Sequence, residues 1–160
     1  MKIVFITTGG TIDKIYFDAK SGYEVGDPQV IDILSESNVI FEYDVHNLFR
    51  KDSLDLTDDD RLAIREAVDT EDCDRIIVTH GTDTMVETAR ALLGCAGKTI
   101  VLTGSLAPAR FKISDAELNL GMAIAAVQML PNGVYITMNG TVFEASNVRK
   151  NREANRFERL

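Results

Sequence analysis

The sequence predicts a single α/β domain with a doubly wound, mostly parallel sheet, a three-layer arrangement of the flavodoxin-like or Rossmann-like class. Short apolar segments alternate along the chain with segments of helical periodicity, and this alternation is typical of βαβ units. The length of 160 residues suits one domain of the commonest size, and 45% apolar residues is ordinary for a globular protein. Right-handed crossovers would bring the loops that follow the strands to one edge of the sheet.

The first third of the chain predicts two strands and a short helix. Residues 2–8 form the first strand, which Gly9-Gly10 ends. A polar loop then extends to about Pro28, and its length is typical of a functional lid or of a disordered segment. Residues 28–34 predict a helix with proline in its first turn. Residues 38–47 predict the second strand, since apolar and polar residues alternate there.

The middle of the chain predicts a capped helix and the third strand. Thr57 caps a helix that extends to about Val68 and has three acids in its first turn, where the helix dipole favours them. Residues 76–79 form the third strand, and a helix that ends before Gly94 follows the turn at residues 80–85. Thr82 or Asp83 either caps this helix or faces a ligand, and the local sequence leaves both interpretations open.

The last third predicts two further strands around a helix. Residues 98–103 form the fourth strand, and 133–138 the fifth. A capping-box pattern at residues 114–117 begins a helix that extends to about Leu130. Its apolar residues at helical spacing are Leu118, Met122, Ala125, Ala126 and Met129. From Arg149 onward the composition predicts a solvated tail.

Composition excludes several classes of function. The net charge of −8 argues against a nucleic-acid surface, because such surfaces carry basic patches. No segment approaches the roughly 20 apolar residues of a membrane span. The apolar N-terminal segment is too short for a signal peptide and predicts a strand of a cytoplasmic protein. Cys73 and Cys95 lack metal spacing and are expected to be reduced thiols without a role.

Hydroxyl and carboxylate side chains recur in the loops that follow strands, so topology predicts that they share one cleft. These residues are Thr11, Ser53, Thr82, Asp83 and Ser105. A metal site is not indicated, and the glycines before Thr11 do not fit the phosphate-loop patterns. His80 and His46 are more typical of structural histidines than of catalysts.

The remaining chemistry is a threonine nucleophile, either Thr11 or Thr82, activated by a neighbouring base or charge. Backbone N–H groups at either turn could hold an oxyanion. Asp83 could bind an ammonium group or orient a lysine.

Two motifs resemble the signatures of the bacterial-type L-asparaginases. They are Thr8-Gly9-Gly10-Thr11-Ile12 after the first strand and His80-Gly81-Thr82-Asp83-Thr84-Met85 after the third. Other segments are similar to the family in the same order. They include Gly22–Gly26 (lid with tyrosine), Asp52–Thr57 (substrate-carboxylate loop), Thr103–Ser105, Ser114–Leu120, and Asn147–Asn151 (catalytic lysine).

The resemblance implies hydrolysis of the side-chain amide of asparagine, and often of glutamine, through an acyl-enzyme. Thr11 would be the nucleophile and Tyr23 would assist it. Thr82, Asp83 and Lys150 would form a second triad, and the charged tail would fold back to place Lys150 beside Asp83. The implied substrate-binding residues are Gly10, Asp52, Ser53, Gly81 and Ser105, with Ser53 on the α-carboxylate and Asp83 also on the α-ammonium. No cofactor or metal is implied.

Usual members of that family are about twice as long and carry a second, smaller domain. The expectation here is one domain over residues 1–160, with a charged tail at 148–160 and no second domain, either as a short relative or as a fragment. The missing walls of the cleft would then come from self-association, with Glu153 or Glu158 of a neighbouring copy supplying an acid. The alternative is a non-catalytic module that binds asparagine or aspartate, and a structural subunit has no specific support.

Overall fold

The computed structural model describes residues 1–18 and 21–160. Its helices are α1 (Val30–Glu36), α2 (Asp58–Thr70), α3 (Met85–Ala91) and α4 (Ala116–Met129). Its strands are β1 (Lys2–Gly9), β2 (Lys14–Phe17), β3 (Gly22–Val25), β4 (Glu42–Lys51), β5 (Arg75–Thr79), β6 (Thr99–Thr103), β7 (Gly133–Met138), β8 (Thr141–Glu144), β9 (Arg149–Asn151) and β10 (Arg156–Glu158).

The main sheet confirms the predicted fold class. Its strand order is β4-β1-β5-β6-β7-β8, and all neighbours are parallel except β7 and β8. The antiparallel edge strand β8 was not predicted. Counted along the chain, the parallel strands have the order 2-1-3-4-5, which is the flavodoxin-like order.

Alternate residues of β1 face opposite layers. Val4 and Ile6 pack with α2 and α3, whereas Ile3 and Phe5 pack with α1 and α4. All four side chains are fully buried. Because burial of a large apolar side chain contributes about 1.5–3 kcal/mol, the central strand is a major source of stability. None of the helices within the described ranges has the length and apolar character needed to cross a membrane.

The segment after Thr11 contains a hairpin that the sequence did not predict. A 3-10 turn at Thr11–Asp13 leads into β2 and β3, which pair antiparallel with Tyr16 opposite Tyr23. Ala19 and Lys20, which belong to the same predicted loop, lie outside the described residues. Strands of four residues are too short for a clear period-2 pattern, so composition alone suggested a loop.

The strand predicted at residues 38–47 forms four residues later. The β1–β4 ladder begins with Lys2 opposite Glu42 and ends with Gly9 opposite Lys51. The earlier residues Val39 and Phe41 still pack on the core. They lie before the ladder because β1 begins at Lys2, which already pairs with Glu42.

Helix α4 forms as predicted, but its start and its buried face differ. Its N-cap is Asp115, and no side chain makes the predicted capping box. Leu118 and Met129, expected inside, are 59% and 82% exposed. The buried positions are Ala116, Asn119, Leu120, Ala123, Ala126 and Val127. Because α4 is apolar on most sides, the spacing of its apolar residues does not identify the buried face.

The C-terminal segment is folded, so the prediction of a solvated tail is wrong. Strands β9 and β10 form an antiparallel hairpin. Phe157 is only 3% exposed and belongs to the same core as α2 and α3. Its backbone N–H donates to Asn139 Oδ1 at 2.8 Å. A buried aromatic side chain and a partly buried hydrogen bond therefore dock a charged segment that composition would assign to solvent.

Replacement of this anchor tests the docking. We expect Phe157→Ala to lower the free energy of unfolding by about 3–5 kcal/mol, because a buried aromatic side chain is lost from the core. Leu160→Ala, which truncates a side chain 69% exposed, should change it by less than about 0.5 kcal/mol. Urea unfolding followed by circular dichroism measures both. Equal small effects would mean that the hairpin does not dock on the core.

Candidate active site

The site lies at the carboxyl ends of the parallel strands. The strand order reverses between β1 and β5, and such a reversal opens a crevice in which ligands bind. Hydrogen bonds join the strand ends there. Thr8 Oγ1 donates to the Thr79 carbonyl at 2.9 Å, and the His80 N–H donates to the Thr103 carbonyl at 2.9 Å. The turns after β1, β5 and β6 are therefore held on one framework.

Two glycines bring the turns after β1 and β5 into contact. Gly10 has a φ of +93°, and the backbone of Gly81 occupies the place where a Cβ on Gly10 would lie. A Cβ on Gly81 would lie 2.6 Å from Ser53 Oγ. The turns after β1, β4 and β5 thus pack closely together, because neither Gly10 nor Gly81 carries a side chain. Thr11 and Thr82, each next to one of these glycines, lie on adjoining turns.

Lys150 links the C-terminal hairpin to the turn after β5. Its Nζ donates to Thr82 Oγ1 and to Asp83 Oδ1, each at 2.7 Å. The Lys150 side chain is 10% exposed and that of Asp83 is 38% exposed. A largely buried ammonium group requires such partners, because an unpaired charge is costly to remove from water. The carboxylate keeps an accessible part that could receive a second cation.

Neither Thr82 nor Asp83 caps α3, so the capping interpretation is wrong. The N-cap position is Thr84, and it makes no side-chain cap. Thr84 Oγ1 instead donates to the Ser53 carbonyl at 2.7 Å. The Thr84 hydroxyl therefore connects the turn after β5 to the turn after β4. Thr82 and Asp83, the two residues before it, bond to Lys150 instead.

The turn after β4 combines a buried hydroxyl with a fixed carboxylate. Ser53 is 1% exposed and begins a 3-10 turn. Asp52 precedes it, and its Oδ1 accepts from the Leu54 N–H at 3.2 Å. Lys14 Nζ lies 2.8 Å from Asp52 Oδ2, and its hydrogen bond lowers the pKa of that carboxyl. Sequence reasoning missed Lys14, because a single lysine after an apolar residue carries no distinguishing pattern.

Thr11 and Tyr23 lie on the two parts of the segment that follows β1. Thr11 is half-buried in the 3-10 turn, and its hydroxyl makes no hydrogen bond within residues 1–18 and 21–160. Tyr23 is 53% exposed on β3, where its ring contacts Tyr16 and Phe111 with centroids 5.5 and 5.8 Å away. An aromatic cluster thus orients the hairpin that carries Tyr23.

Asp13 anchors this segment from within the fold. Its Oδ1 accepts from the Gln29 N–H at 2.8 Å, and its carbonyl accepts from the Gly26 N–H at 2.8 Å. Only 2% of the residue is exposed, and burial raises the pKa of the carboxyl to about 6. No local pattern predicts this role, because the contacts that bury Asp13 come from distant residues.

Ser105 lies in the loop after β6, and a second missed acid organises this loop. Ser105 is 1% exposed and donates to the Ala107 carbonyl. The Asp115 carboxylate accepts from the N–H groups of Leu106 and Ala107 at 3.0 and 3.1 Å. Asn119 Nδ2 donates to the Gly104 carbonyl at 3.0 Å. Asp115, which lies within the predicted capping box, therefore shapes the loop after β6.

His80 is a structural residue, which confirms the interpretation from sequence. Its ring is fully buried, with Nδ1 2.7 Å from the Gly81 carbonyl and Nε2 2.8 Å from Thr88 Oγ1. A carbonyl can only accept, so Nδ1 carries the proton and Nε2 accepts from the hydroxyl. Burial lowers the pKa of His80 to about 4. The imidazole is thus neutral near pH 7 and has both nitrogens occupied.

The remaining metal and thiol expectations concern other parts of the chain. No group of three or more His, Cys, Asp or Glu side chains with metal-binding geometry occurs among residues 1–18 and 21–160. Cys73 and Cys95 are both free. Burial raises the pKa of the Cys95 thiol to about 11, so thiolate chemistry is suppressed there.

The doubly wound sheet, with threonine and carboxylate groups on its strand-end turns and a lysine that the C-terminal hairpin brings to them, defines an α/β domain of the enzyme type. Residues 2–158 match the sequence profile of the family described as "Asparaginase, N-terminal". The chain belongs to the asparaginase family, as the two motifs predicted.

Named relatives and a solved structure agree with this assignment. "Probable L-asparaginase periplasmic" of Haemophilus influenzae is 31% identical over 92% of this chain and 46% of its own length. "L-asparaginase 2" of Escherichia coli is 33% identical over the same shares. The structure of the thermostable L-asparaginase from Thermococcus kodakarensis has a TM-score of 0.84 at 26% identity, covering 100% of this chain and 51% of that one. The chain therefore spans about half the length of the curated relatives it matches.

The burial of Asp13 predicts a pH dependence of stability. A carboxyl whose pKa is higher in the folded protein favours folding while protonated, so its contribution is present below about pH 4 and is lost as the pH rises through about 6. Asp13→Asn removes this titration. We expect the free energy of unfolding of the variant, relative to wild type, to rise by about 1–3 kcal/mol between pH 4 and pH 6.5.

Urea unfolding at a series of pH values measures this difference. His80 titrates in both proteins, so its contribution cancels. Asp72→Asn, the same substitution at an exposed position, is the matched control. A flat difference for Asp13→Asn would contradict the predicted effect of burial.

Proposed function

We propose that this domain hydrolyses the side-chain amide of L-asparagine to L-aspartate and ammonia, with weaker action on glutamine. The observation that carries the proposal is the pair of 2.7 Å hydrogen bonds from Lys150 to Thr82 and Asp83. A module that only binds asparagine needs an anion for the ammonium group, but it needs no buried lysine on a threonine hydroxyl. Membership of the asparaginase family supports the same reaction.

Thr11 is the proposed nucleophile. Its Oγ attacks the amide carbon, and backbone N–H groups of the glycine-rich turns stabilise the oxyanion that forms. The amide nitrogen takes a proton and leaves as ammonia, so an ester joins Thr11 to the substrate acyl group. Water then attacks this ester, which releases aspartate and restores the hydroxyl. Tyr23 assists proton transfer at Thr11.

Thr82, Asp83 and Lys150 form the proposed proton-handling group. Lys150 donates to both partners, so it must release a proton before it can accept one from the reacting centre. The short row of ammonium, hydroxyl and carboxylate allows that exchange, and the accessible part of Asp83 binds the α-ammonium of the substrate.

The other contacts fix the substrate around these two groups. In the proposed complex, Ser53 binds the α-carboxylate, and Asp52 helps to shape that end of the site. The backbones of Gly10 and Gly81 line the cleft beside it. The Ser105 carbonyl lies near the leaving amide.

We also propose that residues 1–160 act as one asparaginase N-terminal-type unit in a homo-oligomer. Tyr23 and Asp83 are both partly exposed, and a site open to water weakens the electrostatic interactions that catalysis needs. A second copy would cover them. Glu153 is the better candidate for the acid that it supplies, because Glu158 already accepts from Arg149 and Asn151 of its own chain.

A cytoplasmic location is part of the same proposal. Residues 3–6 are the buried centre of the sheet, so this apolar segment is an integral strand. Cell fractionation tests this location, and the periplasm, named for the relative from Haemophilus influenzae, is the outcome that would contradict it.

Ammonia release from asparagine tests the proposed reaction. We expect Thr11→Ala and Lys150→Met to lower kcat by a factor of at least about 10²–10⁴, because each removes a group that acts in the transition state. Thr70→Ala and Lys2→Met are the matched controls. Thr70 Oγ1 donates to carbonyls of α2 itself, and the pair of Lys2 with Asp44 lies at the end of β1 remote from the site, so both variants should retain wild-type rates.

Three outcomes would contradict parts of this proposal. Full turnover by Thr11→Ala would exclude the nucleophile, and full turnover by Lys150→Met would exclude the proton-handling role. A wild-type chain that binds aspartate but releases no ammonia would be the non-catalytic binding module.

A further inference from the structure

We infer that Lys14 makes the site selective for ligands with a free α-carboxylate by neutralising Asp52 next to Ser53. The inference rests on the proposed function, in which Ser53 receives that carboxylate. Lys14 acts in this account as a positioning and specificity-determining residue, because its effect on the ligand passes through Asp52.

The geometry fixes the charge of Asp52 beside the carboxylate site. One oxygen accepts from the Leu54 N–H at 3.2 Å, and the other lies 2.8 Å from Lys14 Nζ. The Lys14 hydrogen bond is the main cause that lowers the pKa of Asp52. Both side chains are about one-third exposed. The carboxylate is therefore ionised, held in place and adjacent in sequence to the buried Ser53.

An ionised Asp52 without Lys14 would oppose the proposed ligand. Two carboxylates at neighbouring positions repel each other, and the repulsion is stronger at a partly buried site than in water. Among residues 1–18 and 21–160, the lysines nearest in sequence to the turns after β4 and β9 have other partners, since Lys51 is bound to Asp60 and Lys150 to Asp83. Lys14 is the cation that cancels the Asp52 charge.

The position of Lys14 also links carboxylate recognition to the hairpin. Lys14 begins β2, opposite Val25 of β3, and Tyr23 lies two residues before Val25. The same hairpin therefore supplies the proposed assistant of the nucleophile and the cation beside the substrate-carboxylate turn. Binding of a ligand with a free α-carboxylate is therefore favoured only while Lys14 of this hairpin pairs with Asp52.

Ligand binding tests this inference without requiring turnover. Calorimetry would compare L-aspartate with its α-methyl ester, which lacks the α-carboxylate charge, at low salt and at about 0.5 M NaCl. We expect Lys14→Met to weaken aspartate binding about tenfold at low salt and to leave ester binding within about twofold. Lys14→Arg, which keeps the charge, should stay within about threefold of wild type for aspartate. Lys2→Met, which breaks the pair with Asp44 far from the cleft, is the matched control and should bind both ligands as wild type does.

The double variant Lys14→Met with Asp52→Asn separates neutralisation from direct contact. Because both charges are removed, the double variant should bind aspartate at least about threefold more tightly than Lys14→Met alone. The inference is overturned if the double variant recovers nothing, if Lys14→Met leaves aspartate binding unchanged, or if it weakens aspartate and ester equally. Wild-type protein that binds no aspartate also overturns it. Wild-type protein that binds aspartate but releases no ammonia overturns the proposed hydrolysis alone and leaves the role of Lys14 intact.

Discussion

The close approach of Gly10 and Gly81 is the constraint on which the rest of the site depends. Any side chain at Gly10 would collide with the backbone of Gly81, and a Cβ at Gly81 would collide with Ser53. The absence of these side chains lets the turns after β1, β4 and β5 meet at the point where the strand order reverses. Topology alone brings strand ends to one edge, but van der Waals contact between backbones is what places Thr11 and Thr82 on adjoining turns.

Two hairpins outside the main sheet each supply a cation to the cleft. Lys14 comes from the β2–β3 hairpin and pairs with Asp52, and Lys150 comes from the β9–β10 hairpin and pairs with Asp83. The chain carries a net charge of −8, so these local pairings decide the electrostatic potential that the α-carboxylate of the proposed substrate would meet. The turns of the sheet supply hydroxyl and carboxylate groups, and the hairpins supply the lysines that pair with these carboxylates.

The sequence predicted the elements that depend on a local pattern of residues. It did not predict the features that depend on contacts between residues distant along the chain. The strands at residues 2–8, 76–79 and 133–138 follow from apolar runs between polar turns. The hairpin after Thr11 did not follow, since its strands are short, and the buried state of Asp13 depends on Gln29. For the C-terminal segment, composition favoured solvent. Only the family resemblance suggested that Lys150 returns to the site, because no local pattern encodes a contact 67 positions away.

The start of α3 shows why local rules fail at this site. Threonine and aspartate before a helix normally cap it, since their oxygens accept from free N–H groups. Here Thr82 and Asp83 accept from Lys150, and Thr84 bonds to Ser53. The helix begins without a side-chain cap, so local stability that the sequence could have provided is absent. Such a departure is expected where side chains serve a ligand site. Three polar residues that could each have capped the helix thus instead join the turns after β4 and β5 to the lysine of the C-terminal hairpin.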